Sequence, residues 1–278
     1  MNKLMTMIAS AASLAVASLA WSATANAGAV LDKVLDTKTL TVAVGTDWGV
    51  MSSLGDNREL VGYDIDVAKG IAEYLGVQVK FITPGWDVIA AGRWNGRWDM
   101  AMGQMTPQKS RTEKFAFPAV YSYYRAVALV HKDSKATKLS DLNGKVVGIG
   151  AGDNTEQYAN NTLVADWPGA KSIDFKFKAG EIKSYSGTAF DDLRLGDGVR
   201  LDAVLYGEVL ARNAIKAGYP MKILGEPLYS APGAIAIMRG DNEFNDKIAA
   251  AVQSMRDNGT LSKLSMKWYD GVDYTVEK

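Results

Sequence analysis

Two extended strand segments, residues 121–130 and 233–238, constrain the fold of this chain more than any other feature. Elsewhere, short strand patterns alternate with helical spacing, which is typical of a parallel α/β sheet. A strand as long as the first, placed after a complete α/β unit, favours a crossover into a second domain, and the later strand favours a return. The sequence therefore predicts an α/β protein with two lobes, residues 28–125 plus 232–278 and residues 126–231, hinged at two strand crossovers.

The first 27 residues have the composition of a secretory signal peptide. Lys3 provides the positive start, residues 5–20 are mostly apolar or small, and residues 25–27 form an Ala-Asn-Ala cleavage site. A transmembrane anchor is the alternative, but serines interrupt the apolar run and no comparable stretch follows. We expect cleavage after Ala27 and a periplasmic location.

The chain contains no cysteine. This composition excludes disulfides, thiolate metal sites and cysteine nucleophiles, and it leaves no lipid attachment site after the cleavage point. The mature protein is therefore expected to diffuse freely. The 31 basic and 31 acidic side chains balance, which argues against nucleic acid or an anionic membrane surface as a partner.

Polar and aromatic residues follow the predicted strands of the first lobe at their carboxyl ends. Asp47 and Trp48 follow the strand at 40–45, and Trp86 follows the strand at 77–83. Open α/β sheets place their ligands at this edge, so these side chains are candidates for a binding site. A ring that covers the edge of the core explains Trp86 equally well.

The strand at 100–105 leads into a polar segment that contains Gln104, Thr106 and Arg111. Arg111 can offer a planar, permanently charged fork to a carboxylate. The Thr106 hydroxyl and nearby N–H groups can converge on the same anion. From these residues alone, an arginine on a polar surface loop is the alternative.

Two further candidates for chemistry are pairs of acids at predicted helix starts. Asp64 and Asp66 are predicted as an N-cap and a first-turn acid instead of a metal or catalytic pair. In the second lobe, Asp153 and Glu156 are spaced as a capping box with Asp153 as the cap, and Asn154 follows it. The free N–H groups of such a helix start also suit an anion.

Several segments resemble the family 3 periplasmic solute-binding proteins, which serve ABC importers of polar amino acids. Met105, Thr106 and Arg111 match the family pattern Gly-Met-Thr-x-Thr-x-x-Arg. Residues 62–67 match its Gly-aromatic-acid-aliphatic-acid-aliphatic signature, and residues 258–269 match its closing segment. The resemblance covers the chain after the signal and implies the two-lobed type II binding-protein fold.

The resemblance also implies roles for individual residues. Arg111 would bind a ligand carboxylate with help from Thr106, and Trp86 would stack on the ligand's side chain. N–H groups at the helix start in the second lobe would take the other half of the carboxylate. This chain departs from the family there, because Asp153 replaces the usual Ser or Thr and puts an acid where an anion should dock.

A second departure concerns the ligand's ammonium group, which the family binds with an Asp. Gly207 occupies that position here, between Tyr206 and Glu208. One step along a strand reverses the direction of a side chain, although a turn at this point would restore Glu208. Either Glu208 or Asp153 replaces the missing acid, or the ligand lacks a standard head group.

The expected function is that of the substrate-binding component of an ABC importer. A monomer without cofactor or metal would close around a small solute with amino and carboxylate groups and deliver it to a permease in the inner membrane. A less common amino-carboxylate is expected to bind better than standard L-amino acids. The alternative is a periplasmic dehydratase of the same fold, in which Asp153, Glu208 or Asp47 does proton chemistry.

Overall fold

A computed structural model describes residues 28–167 and 170–277. The predicted signal peptide lies outside these residues, and no helix within them is long and apolar enough to cross a membrane. The helices are α1 Ala29–Asp36, α2 Tyr63–Leu75, α3 Trp86–Ala90, α4 Lys109–Thr112, α5 Asn154–Ala159, α6 Phe190–Leu193, α7 Glu208–Lys216, α8 Asn242–Asp257 and α9 Thr260–Trp268, with a 3-10 turn at Leu139–Leu142. The strands are β1 Thr39–Ala43, β2 Ser53–Leu54, β3 Leu60–Val61, β4 Gln78–Ile82, β5 Met100–Met105, β6 Phe115–Ala116, β7 Val120–His131, β8 Val146–Gly150, β9 Glu181–Tyr185, β10 Ala203–Gly207, β11 Met221–Ile223 and β12 Tyr229–Met238.

One sheet runs through both halves of the molecule in the order β4-β1-β5-β12-β7-β10-β8-β9. At one end β1 pairs in parallel with β4 and β5, and we call this group and its helices the first lobe. At the other end β8 pairs in parallel with β9 and β10, and this group with its helices is the second lobe. The antiparallel strands β7 and β12 stand between the two groups. The predicted α/β fold with two lobes and two strand crossovers is confirmed.

The two crossovers are longer than the sequence pattern predicted. Strand β7 starts and ends one residue beyond the predicted segment, and β12 begins at Tyr229 because its first residues still pair with β7. The ladder between them shifts register between Gly233 and Ala234. A Cβ atom at Gly233 would lie 2.7 Å from the Cβ of Gln104, so only glycine fits there without a shift of its neighbour.

Separate apolar cores fix the strands of each lobe. In the first lobe, α2 and α8 bury Ile71 and Ile248 against β1, and a second cluster around Trp94 packs on the opposite face of the sheet. In the second lobe, one cluster around Ile149 and another around Leu193 cover the two faces. Burial on both faces explains why the strands read as continuous apolar runs.

Helix α2 begins after Gly62, whose φ of 138° places it close to the Met51 carbonyl. Because Gly62 is the N-cap, the prediction that an acid caps this helix is wrong, although Asp64 and Asp66 both lie in the first turn. Asp66 accepts hydrogen bonds from α9. Asp64 is fully buried and accepts a hydrogen bond from the Tyr121 hydroxyl at 2.9 Å.

The same tyrosine connects helix α2 to the end of β5. The Tyr121 hydroxyl oxygen accepts the N–H groups of Gly103 at 3.2 Å and of Gln104 at 2.9 Å. Burial raises the pKa of Asp64 from 3.8 to about 7, although the hydrogen bond from Tyr121 opposes the shift. A buried acid thus supports the strand end from which the cavity wall is built.

Candidate functional site

A cavity of about 290 Å³ lies between the two lobes, at the carboxyl ends of the parallel strands. Its volume is close to the lower limit of small-molecule pockets, roughly 300 Å³. The ten residues predicted from the sequence all line it: Asp47, Trp48, Trp86, Gln104, Thr106, Arg111, Asp153, Asn154, Tyr206 and Glu208. The first six come from the first lobe and the last four from the second, so the structure brings both predicted sets together.

Two glycines create the aromatic wall of the first lobe. A Cβ at Gly45 would lie 2.2 Å from the Trp48 ring, and a Cβ at Gly103 would lie 2.7 Å from Trp48 and 2.8 Å from Trp86. The two rings therefore rest directly on the backbone. They meet edge to face, with centroids 5.6 Å apart and planes at 80°. Trp86 both covers the edge of the core and faces the cavity, so the two interpretations of this residue are compatible.

Arg111 lies beside this aromatic wall and is buried, with 6% of its surface exposed. Its Nη1 donates to the Thr106 carbonyl at 3.4 Å, and its Nη2 donates to the Gly152 carbonyl at 2.8 Å. The guanidinium also lies 5.8 Å from the centroid of the Trp86 ring. Burial lowers the pKa of Arg111, and the negative charge of Asp153 opposes that shift. A guanidinium remains charged under such shifts, so the cavity holds a cation.

Gln104 lines the cavity but directs its amide into the first lobe. Its backbone has a φ of 54°, and its Nε2 donates to the Ser122 hydroxyl at 3.1 Å and to the Tyr269 hydroxyl at 3.0 Å. Both amide N–H donors are therefore used within the protein. The structure places Gln104 as a support of the wall with its side-chain donors used inside the first lobe, and its predicted part in ligand binding stays a prediction.

Asp153 is the N-cap of α5, but the predicted capping box is absent. Glu156 accepts the N–H of Gly152 at 2.9 Å instead of the N–H of the cap residue. The Asp153 carboxylate lies close to the N–H groups of Asn154 and Thr155, which lower its pKa, yet neither contact has hydrogen-bond geometry. Burial is the larger effect and raises the pKa of Asp153, and the cation of Arg111 opposes it.

Glu208 is the first residue of α7, directly after Gly207 ends β10. The turn from strand to helix brings its side chain to the cavity despite the one-residue offset. Its Oε1 accepts from Arg212 Nη2 at 2.6 Å and from Arg212 Nε at 2.8 Å, and its Oε2 lies 3.5 Å from Arg125 Nη1. Two guanidinium groups therefore already compensate the charge of Glu208.

Tyr124 and Arg125 on β7 line the cavity and were not predicted. A Cβ at Gly207 would lie 2.6 Å from Cε2 of Tyr124, so the tyrosine ring fills the space that a side chain at position 207 would need. The Tyr124 hydroxyl is buried and has no hydrogen-bond partner among the described residues. The sequence signal was the run Tyr-Tyr-Arg at residues 123–125, since polar groups are unusual in a buried crossover strand.

A cavity enclosed by two lobes, with an aromatic wall and charged side chains of both signs, defines a class of protein. It is a two-lobed binding protein for a small polar solute. Residues 40–271 match the bacterial extracellular solute-binding proteins, family 3, and the chain belongs to this family. The resemblance inferred from the sequence motifs is thereby confirmed.

Individual relatives cover nearly the whole chain. The L-cystine-binding protein TcyJ of Escherichia coli strain K12 is 28% identical over 251 residues, with 88% of each chain covered. An ancestral arginine-binding protein bound to glutamine has a TM-score of 0.72 at 30% identity, over 84% of this chain and 98% of that chain. The ancestral amino acid-binding protein AncCDT-1, a precursor of cyclohexadienyl dehydratase, has a TM-score of 0.73 at 28% identity, over 86% of this chain and 99% of that chain.

Proposed function

We propose that this chain is the periplasmic substrate-binding component of an ABC importer and that it captures an amino-acid-like solute with an amino and a carboxylate group. The observation that carries the proposal is the buried Arg111. Its described hydrogen-bond partners are the carbonyl oxygens of Thr106 and Gly152, and the nearby Asp153 makes no direct ion pair with it among the described residues. A buried charge without a direct ion pair is costly, so a ligand carboxylate at this point would stabilise the closed protein.

The rest of the cavity supports a solute of amino-acid size. Trp48 and Trp86 offer apolar surface for the carbon chain of the ligand, and Asp153 offers a negative charge opposite Arg111. The named ligands of relatives are cystine, arginine and glutamine. We propose that this chain binds a member of the same chemical class, and that a less common amino-carboxylate binds better than standard L-amino acids because the family's ammonium-binding acid is missing at Gly207.

Binding would proceed by closure of the lobes about strands β7 and β12. The proposed lobes are residues 28–125 plus 232–278 and residues 126–231. Strand β12 pairs with β5 of the first lobe, β7 pairs with β10 of the second lobe, and β7 and β12 pair with each other. Rotation about this central pair would therefore change the cavity and leave each core intact. The closed monomer, freed of residues 1–27 and without a lipid anchor, would then dock on a permease in the inner membrane.

Turnover is the rival function, and two observations favour it. Asp153 is an acid whose pKa burial raises, which is a property of catalytic acids. A related structure is also a named precursor of cyclohexadienyl dehydratase. Incubation of the mature protein with prephenate or arogenate tests this function, and we expect no product. Product formation at a rate that Asp153→Asn abolishes would replace the binding proposal with catalysis.

The test of binding compares amino acids with amines of the same shape that lack the carboxylate. L-Arginine is paired with agmatine and L-cystine with cystamine, and thermal unfolding of the mature protein is recorded with each compound. A ligand that binds only the folded state raises the melting temperature by mass action. We expect the amino acids to stabilise the protein and the matched amines to have little effect. Equal stabilisation by both members of each pair would overturn the assignment of Arg111 as a carboxylate site.

A further inference from the structure

We infer that the ligand's ammonium group is held by Asp153 together with the Tyr124 hydroxyl, and that the site therefore selects a primary ammonium over a methylated one. This inference rests on the proposed function and names the second half of the same binding site. Four structural observations lead to it.

The first observation argues against Glu208 as the ammonium partner. Its Oε1 accepts hydrogen bonds from two nitrogens of Arg212, and its Oε2, which is buried without a hydrogen-bond partner among the described residues, lies 3.5 Å from Arg125 Nη1. A ligand cation beside Glu208 would lie next to two guanidinium groups and share one carboxylate with them. Like charges at such a distance repel, so Glu208 is a poor site for a further cation.

The second observation concerns the position where the resemblance places an acid. Tyr124 Cε2 would lie 2.6 Å from a Cβ at Gly207, so the tyrosine ring occupies this part of the wall in place of a carboxylate. The ring brings a hydroxyl group that is buried and has no hydrogen-bond partner among the described residues. Tyr124 therefore fills the space beside Gly207 and brings an oxygen to this part of the wall.

The third observation is the placement of Asp153. A Cβ at Gly150 would lie 3.8 Å from Asp153 Oδ2 and 3.5 Å from Tyr206 Cε2, so the carboxylate and the Tyr206 ring share the wall beside the end of β8. Burial raises the pKa of the Tyr124 and Tyr206 hydroxyls, and the negative charge of Asp153 raises it further, so this carboxylate lies near both groups. The charges of Asp153 and Arg111 each oppose the pKa shift that burial causes in the other residue. The contacts of the described residues nevertheless include no ion pair between them.

The fourth observation is the supply of further acceptors. Asn154 has 2% of its surface exposed, and its Oδ1 is buried without a hydrogen-bond partner in the described part of the chain, while the residue lines the cavity. A primary ammonium has three N–H donors, and Asp153, Tyr124 and Asn154 offer oxygen atoms to them. A trimethylated ammonium has no donor and would leave the oxygens of Tyr124 and Asn154 unsatisfied.

The test measures binding of L-arginine, L-glutamine and L-cystine by calorimetry. The variants are Asp153→Asn, Tyr124→Phe and Glu208→Gln, which keep the size of each side chain. We expect Asp153→Asn to lose roughly 30-fold or more in affinity for the probe that wild type binds best, since it cuts a buried charge pair. Tyr124→Phe should lose roughly 3- to 10-fold, the effect of one hydrogen bond. Glu208→Gln should lose less than Asp153→Asn.

The matched controls are Tyr123→Phe and Asp197→Asn. Tyr123 is the neighbour of Tyr124 on β7 and points to the opposite face of the strand, and Asp197 is an exposed acid of the second lobe outside the cavity lining. Both should keep wild-type affinity. A further arm replaces L-arginine and L-glutamine by their Nα-trimethylated derivatives, which should bind at least roughly tenfold more weakly than the parent amino acids, because the hydrogen bonds of the ammonium are lost.

The outcomes separate this inference from the proposed function. Loss of affinity in Glu208→Gln with retention in Asp153→Asn would overturn the ammonium site while leaving the amino-acid function in place. Equal binding of parent and trimethylated probes would do the same. Failure of wild type to bind any of the three amino acids or any less common amino-carboxylate would overturn the proposed function, and this inference with it.

Discussion

The guanidinium of Arg111 in the first lobe donates to the carbonyl oxygen of Gly152 in the second lobe at 2.8 Å. Trp86 Nε1 approaches the same oxygen at 3.4 Å. The residue proposed to bind the ligand's carboxylate is therefore also a contact that joins the two lobes. Gly152 has a φ of +74°, a conformation that glycine adopts readily and other residues do not, and this orients its carbonyl toward the first lobe.

Replacement of Arg111 should remove ligand binding without unfolding the protein. Arg111→Ala cuts one partner of a buried charge pair, which typically costs roughly 2–5 kcal/mol of binding free energy. Calorimetry with the best-binding amino acid measures the loss, and Arg93→Ala, an exposed arginine of the same lobe, is the control. Unchanged affinity in Arg111→Ala would place the ligand elsewhere or show that it carries no anion.

Replacement of Gly152 should weaken the closed form. Gly152→Ala forces a side chain into a left-handed conformation, at a cost of roughly 1–2 kcal/mol. Gly144 in the same lobe has a φ of +73°, and the position that its Cβ would take has no atom within 4 Å, so Gly144→Ala imposes the same backbone strain away from the cavity. Both variants should lose similar thermal stability, and only Gly152→Ala should lose ligand affinity. Equal affinities of the two variants would contradict a role for the Gly152 carbonyl in closure.

Closure itself is measurable in solution. Because β7 and β12 are the proposed hinge, each lobe should move as a rigid body, and small-angle scattering should give a smaller radius of gyration with saturating ligand than without it. Arg111→Ala at the same ligand concentration is the control for non-specific effects. Identical curves for wild type with and without ligand would count against the hinge mechanism for that ligand.

Asp64 should make the stability of the protein depend on pH. Its pKa is raised by burial from 3.8 to about 7, so between these values the folded state holds a proton that the unfolded state has released. The stabilisation is fully present below about pH 4 and is lost as the pH rises through 7. Since one pKa unit corresponds to about 1.4 kcal/mol, the loss is at most about 4 kcal/mol.

Denaturant unfolding from about pH 4 to about pH 8, a range that spans both pKa values, measures this effect. Asp64→Asn keeps an acceptor for the Tyr121 hydroxyl and carries no charge, so its stability should decline less with pH than that of wild type. Asp56→Asn, at an exposed acid of the same lobe, should follow the wild-type curve. Parallel curves for wild type and Asp64→Asn would contradict the raised pKa.

The sequence predicted the parts of the fold and site that depend on local pattern. Strand periodicity and the rule that parallel strands end at one edge placed Asp47, Trp86 and Thr106 in the cavity wall. The bonds made by particular side chains could not be predicted in the same way. Whether Tyr124 faces the cavity depends on the register of β7 against two other strands, and the pairing of Glu208 depends on an arginine one helical turn later and on another from β7.

The register shift between Gly233 and Ala234 also has a mechanical consequence. Bulges interrupt the hydrogen-bonded ladder and increase its local twist, so this is the point where the central pair of strands resists torsion least. It lies against Gln104, whose amide is clamped by Ser122 and Tyr269. Twisting of the pair would thus centre beside a fixed part of the first lobe, and the stiffness at this place would influence how fast the proposed closed form opens to release its ligand.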